Sequence, residues 1–138
     1  MKKVLVGGCF DLLHFGHIKF LEEAKKLGDR LIVALESDEN VRRMKGATRP
    51  IHTQTQRKSM LESLRFVDEV IVLPPLKTDA EYAALVTRVH PAVIALTEGD
   101  SMEDKKRQHA RFVSAEVVVI PRVHTPSTSQ LTKLLELE

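Results

Sequence analysis

Cysteine, tryptophan and long apolar runs are what this chain of 138 residues has least of, and each shortage excludes something. The single cysteine, Cys9, cannot form an internal disulfide and fits a reducing compartment. No apolar run approaches the ~18 residues that a membrane span needs. The opening MKKVLVGGCFD turns to Gly and Asp after a short apolar run, too short for a signal-peptide core. A soluble cytoplasmic protein is the expectation. Aromatic residues make up 4% of the chain, so the core must rest on Val, Leu, Ile and Ala. The net charge of +2 suits an anionic ligand and falls far short of a dedicated nucleic-acid binder. The basic stretch at 105–111 has no interleaved aromatic residues for base stacking, so it reads as a solvated helix.

What the chain does have is alternation. Short β-branched runs at 3–6, 31–35, 70–73, 93–96 and 117–120 are continuous in apolar character, as strands covered on both faces are. Helical spacing fills the gaps. Phe20, Leu21, Ala24 and Leu27 share a face before the stop at Gly28. Thr53 with Gln56, Thr78 with Glu81 and Ser127 with Gln130 each spell a capping box. Residues 102–111 are mostly polar and predict an exposed helix, while 36–52 reads as a connecting segment. The order predicts one α/β domain over 1–138, Rossmann-like, with a five-stranded parallel sheet flanked by helices. Ligands then sit at the carboxyl ends of the strands, which directs attention to 7–17, 36–52, 74–78, 97–101 and 121–128.

The first of these segments is the most informative. Gly7-Gly8-Cys9-Phe10-Asp11-Leu12-Leu13-His14-Phe15-Gly16-His17 runs from a strand into a helix. Glycines let the backbone approach a ligand, and a helix N-terminus presents unpaired N–H groups to phosphate. His14 and His17 lie three apart across that entry, with Gly16 keeping the approach open. A metal site is not expected, because no zinc-like cluster accompanies the two histidines. The loop is neither a P-loop nor a dinucleotide fingerprint. Asp11 is expected to order the loop by accepting backbone N–H bonds.

GGCFDLLHFGH resembles the HxGH signature of the cytidylyltransferase-like nucleotidylyltransferases. The similarity continues through VRRMKG, RPI and QRKSMLESLRFVDEVIV, weakens after Pro74, and returns at EGD and PRVHTPSTSQL. It implies transfer of a nucleoside monophosphate from ATP or CTP to a small phosphorylated acceptor, with release of pyrophosphate. His14, His17 and Arg122 would be catalytic. Gly8, Cys9, Phe10, Gly16, Gly99, Asp100, Ser127 and Thr128 would bind the nucleotide, and Lys45 and Arg57 the acceptor. Mg²⁺ would be held mainly by the triphosphate, with no metal cage on the protein. The family also implies a homodimer, while the mild charge and short apolar runs speak against nucleic acid and membrane as partners. The chain departs from the family at Val123, His124, Thr125 and Pro126, which replace T-E-G-I in the last motif.

Acceptor identity divides the resemblance. KGATRPI and the following QRKSMLESL helix are most similar to heptose-1-phosphate adenylyltransferases. The length, EGDSMEDKK and R-x-x-x-x-S-T are more similar to glycerol-3-phosphate cytidylyltransferases. An FAD-synthetase-like transfer to FMN is a third alternative. A non-catalytic nucleotide-binding sensor is the rival from another class, favoured by the altered last motif alone.

Overall fold

A computed structural model describes residues 1–135. Its elements are β1 (Lys3–Gly8), α1 (Phe15–Lys25), β2 (Arg30–Leu35), α2 (Asp38–Lys45), α3 (Gln54–Glu62) and β3 (Glu69–Val72), followed by α4 (Asp79–Val89), β4 (Val93–Thr97), α5 (Glu103–Phe112), β5 (Glu116–Ile120) and α6 (Thr128–Leu134). The strands form one five-stranded sheet in the order β3-β2-β1-β4-β5. All its neighbours are parallel.

The continuous apolar runs have a simple cause. Val4, Val6, Leu31, Val33 and Leu35 enter the core on one face of the sheet, while Leu5, Ile32 and Ala34 enter the core on the other. Adjacent residues of a strand point opposite ways, so two covered faces require every position to be apolar. Leu21 and Ala24 of α1 and Leu61 of α3 complete the first core. Leu85, Val86 and Val89 of α4 and Ala110 of α5 complete the second.

All three capping boxes form at the starts of α3, α4 and α6. Gly28 has a different role from the expected helix stop. The chain leaves α1 through Lys26 in right-handed geometry. A Cβ at Gly28 would lie 2.6 Å from the Lys2 carbonyl oxygen and 2.8 Å from Val4 Cγ2. Close approach to β1 is what demands glycine there.

The segment read as a connection holds a helix, α2. Ser37 caps it by accepting from the Asn40 N–H, Asp38 and Glu39 occupy its first turn, and Arg42, Arg43 and Lys45 its last. That arrangement of charge complements the helix dipole. Its inward face consists of Asn40 and Val41, too little apolar periodicity to register in the sequence. The polar helix α5 is more anchored than expected, because His109 is buried and its Nε2 lies 2.8 Å from Asp79 Oδ1 of α4. Among the described residues, no helix is long and apolar enough to cross a membrane.

The sheet order reverses direction between β1 and β4, the switch point at which open α/β sheets bind ligands. The ladder there is short. β1 pairs with β2 over six residue pairs but with β4 over two, Val4 with Val93 and Leu5 with Ile94.

Candidate active site

The loop after β1 is fixed by a buried carboxylate. Phe10 and Leu12 both take left-handed backbone angles, φ 46° and 51°, and between them Asp11 turns inward. Asp11 Oδ2 accepts from Arg49 Nε at 2.9 Å and from the Ile51 N–H at 2.7 Å, and Oδ1 accepts from the His52 N–H at 3.0 Å. Both members of the Asp11–Arg49 pair are buried. Burial pushes the Asp11 carboxyl up, but the His52 and Ile51 N–H groups and the Arg49 guanidinium outweigh it and hold the carboxyl below its ordinary value. Asp11 does accept backbone N–H bonds, but from the 49–52 segment and not from its own loop. Thr128 Oγ1 donates to the Asp11 carbonyl at 2.8 Å, and Arg49 Nη1 to Ser129 Oγ at 3.4 Å. One residue thus joins three chain segments.

His14 and His17 form a reciprocal cap on α1. The Gly16 N–H donates to His14 Nδ1 at 3.1 Å, and the His14 N–H to His17 Nδ1 at 3.3 Å. The rings stack with centroids 3.9 Å apart. Each Nδ1 accepts, so each neutral ring carries its proton on Nε2, at the edge turned away from the helix. Burial, with some help from His14, pushes the His17 pKa down to about 4, and burial also lowers that of His14. Two neutral N–H donors therefore stand side by side at a helix N-terminus. Phe10 is buried, with its ring 5.5 Å from that of His17, so it braces His17 from within the core. Gly8 and Gly16 are needed for space. A Cβ on Gly8 would lie 2.9 Å from the Phe10 ring, and one on Gly16 would lie 2.9 Å from His14 Cε1 and 3.0 Å from Thr125 Cγ2.

Other expected residues separate into open and committed groups. Lys45 is exposed at the end of α2, and its charge acts on both the Cys9 thiol and His17, which sets it at the site's edge. Arg122 is exposed, with Nη2 donating to the Glu98 carbonyl at 3.3 Å beside Gly99, which itself takes φ +83°. Ser127 is exposed and caps α6. The Cys9 thiol, half-buried, is pushed up by burial, which Lys45 partly counters.

Two expectations, those for Arg57 and Thr128, need correcting. Arg57 is fully buried, donating to the carbonyls of His52 (3.1 Å) and Cys9 (2.7 Å) and to Asp38 Oδ1 (2.7 Å). It supports the loop from beneath and offers an acceptor no surface. Thr128 is buried with its hydroxyl given to the Asp11 loop, so its side chain is structural. The Asp100 carboxylate is engaged by the Met102 N–H at 2.8 Å and Lys106 Nζ at 2.7 Å, which outweigh burial and lower its pKa. It shapes the turn after β4. The Val123–Pro126 departure costs no backbone strain, since Thr125, which replaces the family's glycine, does not adopt positive φ. Sequence reasoning missed the pairing of Asp11 with Arg49, which gave no signal beyond the presence of both charges.

Two neutral imidazole donors thus stand at a helix N-terminus beside the switch point of the sheet. The family model described as cytidylyltransferase-like matches residues 5–133, and the chain belongs to that family. It is 55% identical over 135 residues to "Bifunctional protein HldE" of Campylobacter jejuni, covering 98% of this chain and 28% of that protein. It is also 38% identical over 139 residues to "FAD synthase" of Thermococcus kodakarensis, covering 97% of this chain and 89% of that one. Among solved structures, the lipopolysaccharide core biosynthesis protein of Thermoplasma volcanium superposes with a TM-score of 0.72 at 28% identity, covering 89% of this chain and 97% of that one.

Proposed function

We propose that this enzyme transfers the adenylyl group of ATP to heptose 1-phosphate. An acceptor phosphate oxygen attacks the α-phosphorus in line, the bond from that phosphorus to the bridging oxygen breaks, and pyrophosphate leaves. The observation that carries the reading is the stacked pair of neutral imidazoles with both Nε2–H groups free. His14 and His17 donate these to the triphosphate, and the bonds strengthen as charge builds on the transferring group. A phosphate acceptor is already ionised at neutral pH, so no base is required. Preorganisation replaces acid–base chemistry. Lys45 holds the acceptor phosphate as a point charge, and Arg122, released from Glu98, grips the triphosphate. The backbone of Gly8, Cys9 and Gly16 lets the phosphates approach, and Ser127 and Gly99 border the nucleotide.

Mg²⁺ would accompany the triphosphate and offset its charge. The donor set fits an ion carried by the nucleotide. Asp11 is spent on Arg49 and two N–H groups, and among the described residues no group of three His, Cys, Asp or Glu could hold a metal.

Adenylyl transfer to FMN is the second reading, favoured by the FAD synthase relative, which is matched over nearly its whole length. The heptose acceptor is preferred because the identity to HldE is higher over the same residues. Pyrophosphate release decides between them, with ATP and CTP each crossed against heptose 1-phosphate, glycerol 3-phosphate and FMN. ATP with heptose 1-phosphate is expected to be the best pair. Turnover with FMN alone, or with CTP alone, refutes the proposal.

A further inference from the structure

We propose that Glu36 binds hydroxyl groups of the acceptor, held in place by Tyr82 and Asn40, so that the site selects a polyhydroxylated phosphate ester. This rests on the reading of the chain as a transferase with a phosphorylated acceptor. Glu36 is the first residue after β2, and its N–H donates to the Gly8 carbonyl at 3.1 Å. That bond sets it beside the glycine end of β1. Its carboxylate is fixed from behind, with Oε2 accepting from Tyr82 Oη at 2.6 Å and Oε1 from Asn40 Nδ2 at 3.3 Å. Asn40 is itself buried and donates to the Leu76 carbonyl at 2.9 Å, which locks the amide in place.

A carboxylate offers about four acceptor positions, and two are used here. Glu36 is only half-buried, so the remaining positions are not all sealed in the core. Glu36 and Lys45 both act on the Cys9 thiol, Glu36 raising and Lys45 lowering its pKa, so both charges lie within electrostatic reach of the end of β1 that the Glu36–Gly8 backbone bond already marks. A phosphate ester held at Lys45 would then carry its hydroxyls toward Glu36. The phenol of Tyr82 stays protonated, because burial and the Glu36 charge both raise its pKa, so it remains a donor. A free glutamate on a surface must surrender its rotamer freedom to bind a ligand, and this one has already done so in folding.

A carboxylate whose sole purpose was to tie α4 to the end of β2 would be largely replaced by an amide, whose oxygen still accepts from Tyr82 and whose NH2 forfeits only the 3.3 Å bond from Asn40, with no effect specific to a sugar phosphate. Glu36→Gln therefore separates the two roles. Calorimetric titration would measure binding of heptose 1-phosphate and of inorganic phosphate to the parent and to the variant. The variant is expected to bind the sugar phosphate roughly 10- to 100-fold more weakly, the scale of a lost hydrogen bond to a charged group. Binding of inorganic phosphate and the KM for ATP should be unchanged. Tyr82→Phe, which frees the carboxylate without removing it, should show a smaller loss confined to the sugar phosphate, and it decides the matter if Glu36→Gln fails to fold. Equal weakening of both ligands, or none for the sugar phosphate, overturns the inference. A parent that turns over no acceptor refutes the transfer reading instead, and the binding ratio still decides the role of Glu36.

Discussion

Adding one methyl group at Gly16 is expected to abolish most turnover while leaving the fold standing. The Cβ of Gly16→Ala would lie 2.9 Å from His14 Cε1, 3.1 Å from His14 Nδ1 and 3.0 Å from Thr125 Cγ2. Overpacking of this kind costs about 1–3 kcal/mol. Alanine recovers about 1 kcal/mol over glycine in a helix, so the net loss of stability is about 0–2 kcal/mol. The strain is relieved by moving the His14 ring, because Thr125 closes the other side. That breaks the 3.1 Å bond from the Gly16 N–H and the 3.9 Å stack on His17. Losing one aligned donor to a transferring phosphate costs ~10²–10³ in rate. Pyrophosphate release would be measured for kcat and for the KM of ATP, alongside thermal melting. The expected pattern is a large fall in kcat, a nearly constant KM and a melting point lowered by a few degrees. A folded Gly16→Ala protein with kcat within about threefold of the parent would refute the claim that ring alignment drives the reaction.

Three further outcomes follow from the same geometry. In the absence of nucleotide, stability should be full above about pH 6.5 and fall as the pH drops toward about 4, because His17 is held neutral in the fold and protonates more readily when unfolded; melting points flat across that range would contradict it. Asp11→Asn leaves Arg49 buried without its charge partner and should cost about 3–5 kcal/mol in denaturant unfolding; a loss well under about 1 kcal/mol would show the pair to be dispensable. Lys45→Ala should raise the KM for the acceptor and spare that for ATP, whereas an equal effect on both would move Lys45 to the triphosphate.

The sheet was legible because two covered faces keep polar residues to the ends of the strands, and the capping boxes fixed three helix starts. The first loop was legible as a motif, since its glycines and histidines are neighbours in the chain. Direction was harder to read than identity. Arg57 resembled a site residue, yet it sits four positions before Leu61, on the inward stripe of α3, and its guanidinium follows that stripe into the core. Asp11 and Arg49 are 38 residues apart, and nothing local marks either as half of a buried pair. Helix α2 escaped notice because capping and charge hold it, with Val41 as its one buried apolar side chain. Glu36 follows β2, Asn40 lies on α2 and Tyr82 on α4, and only the fold brings the tyrosine to the other two.

The two-rung ladder between β1 and β4 also has a mechanical consequence. Beyond Leu5 and Ile94 β1 and β4 form no further pair, so β3-β2-β1 and β4-β5 make two leaves joined by backbone rungs only near their amino ends and by the shared side-chain cores elsewhere. Glu36 and Lys45, the proposed acceptor side, belong to the first leaf, and the turn at Glu98–Asp100 and Arg122 belongs to the second. A nucleotide lying in the cleft would bridge the leaves where backbone rungs are missing. Its departure as pyrophosphate and product would remove that bridge, leaving the joint between the leaves slacker in the empty enzyme than in the loaded one.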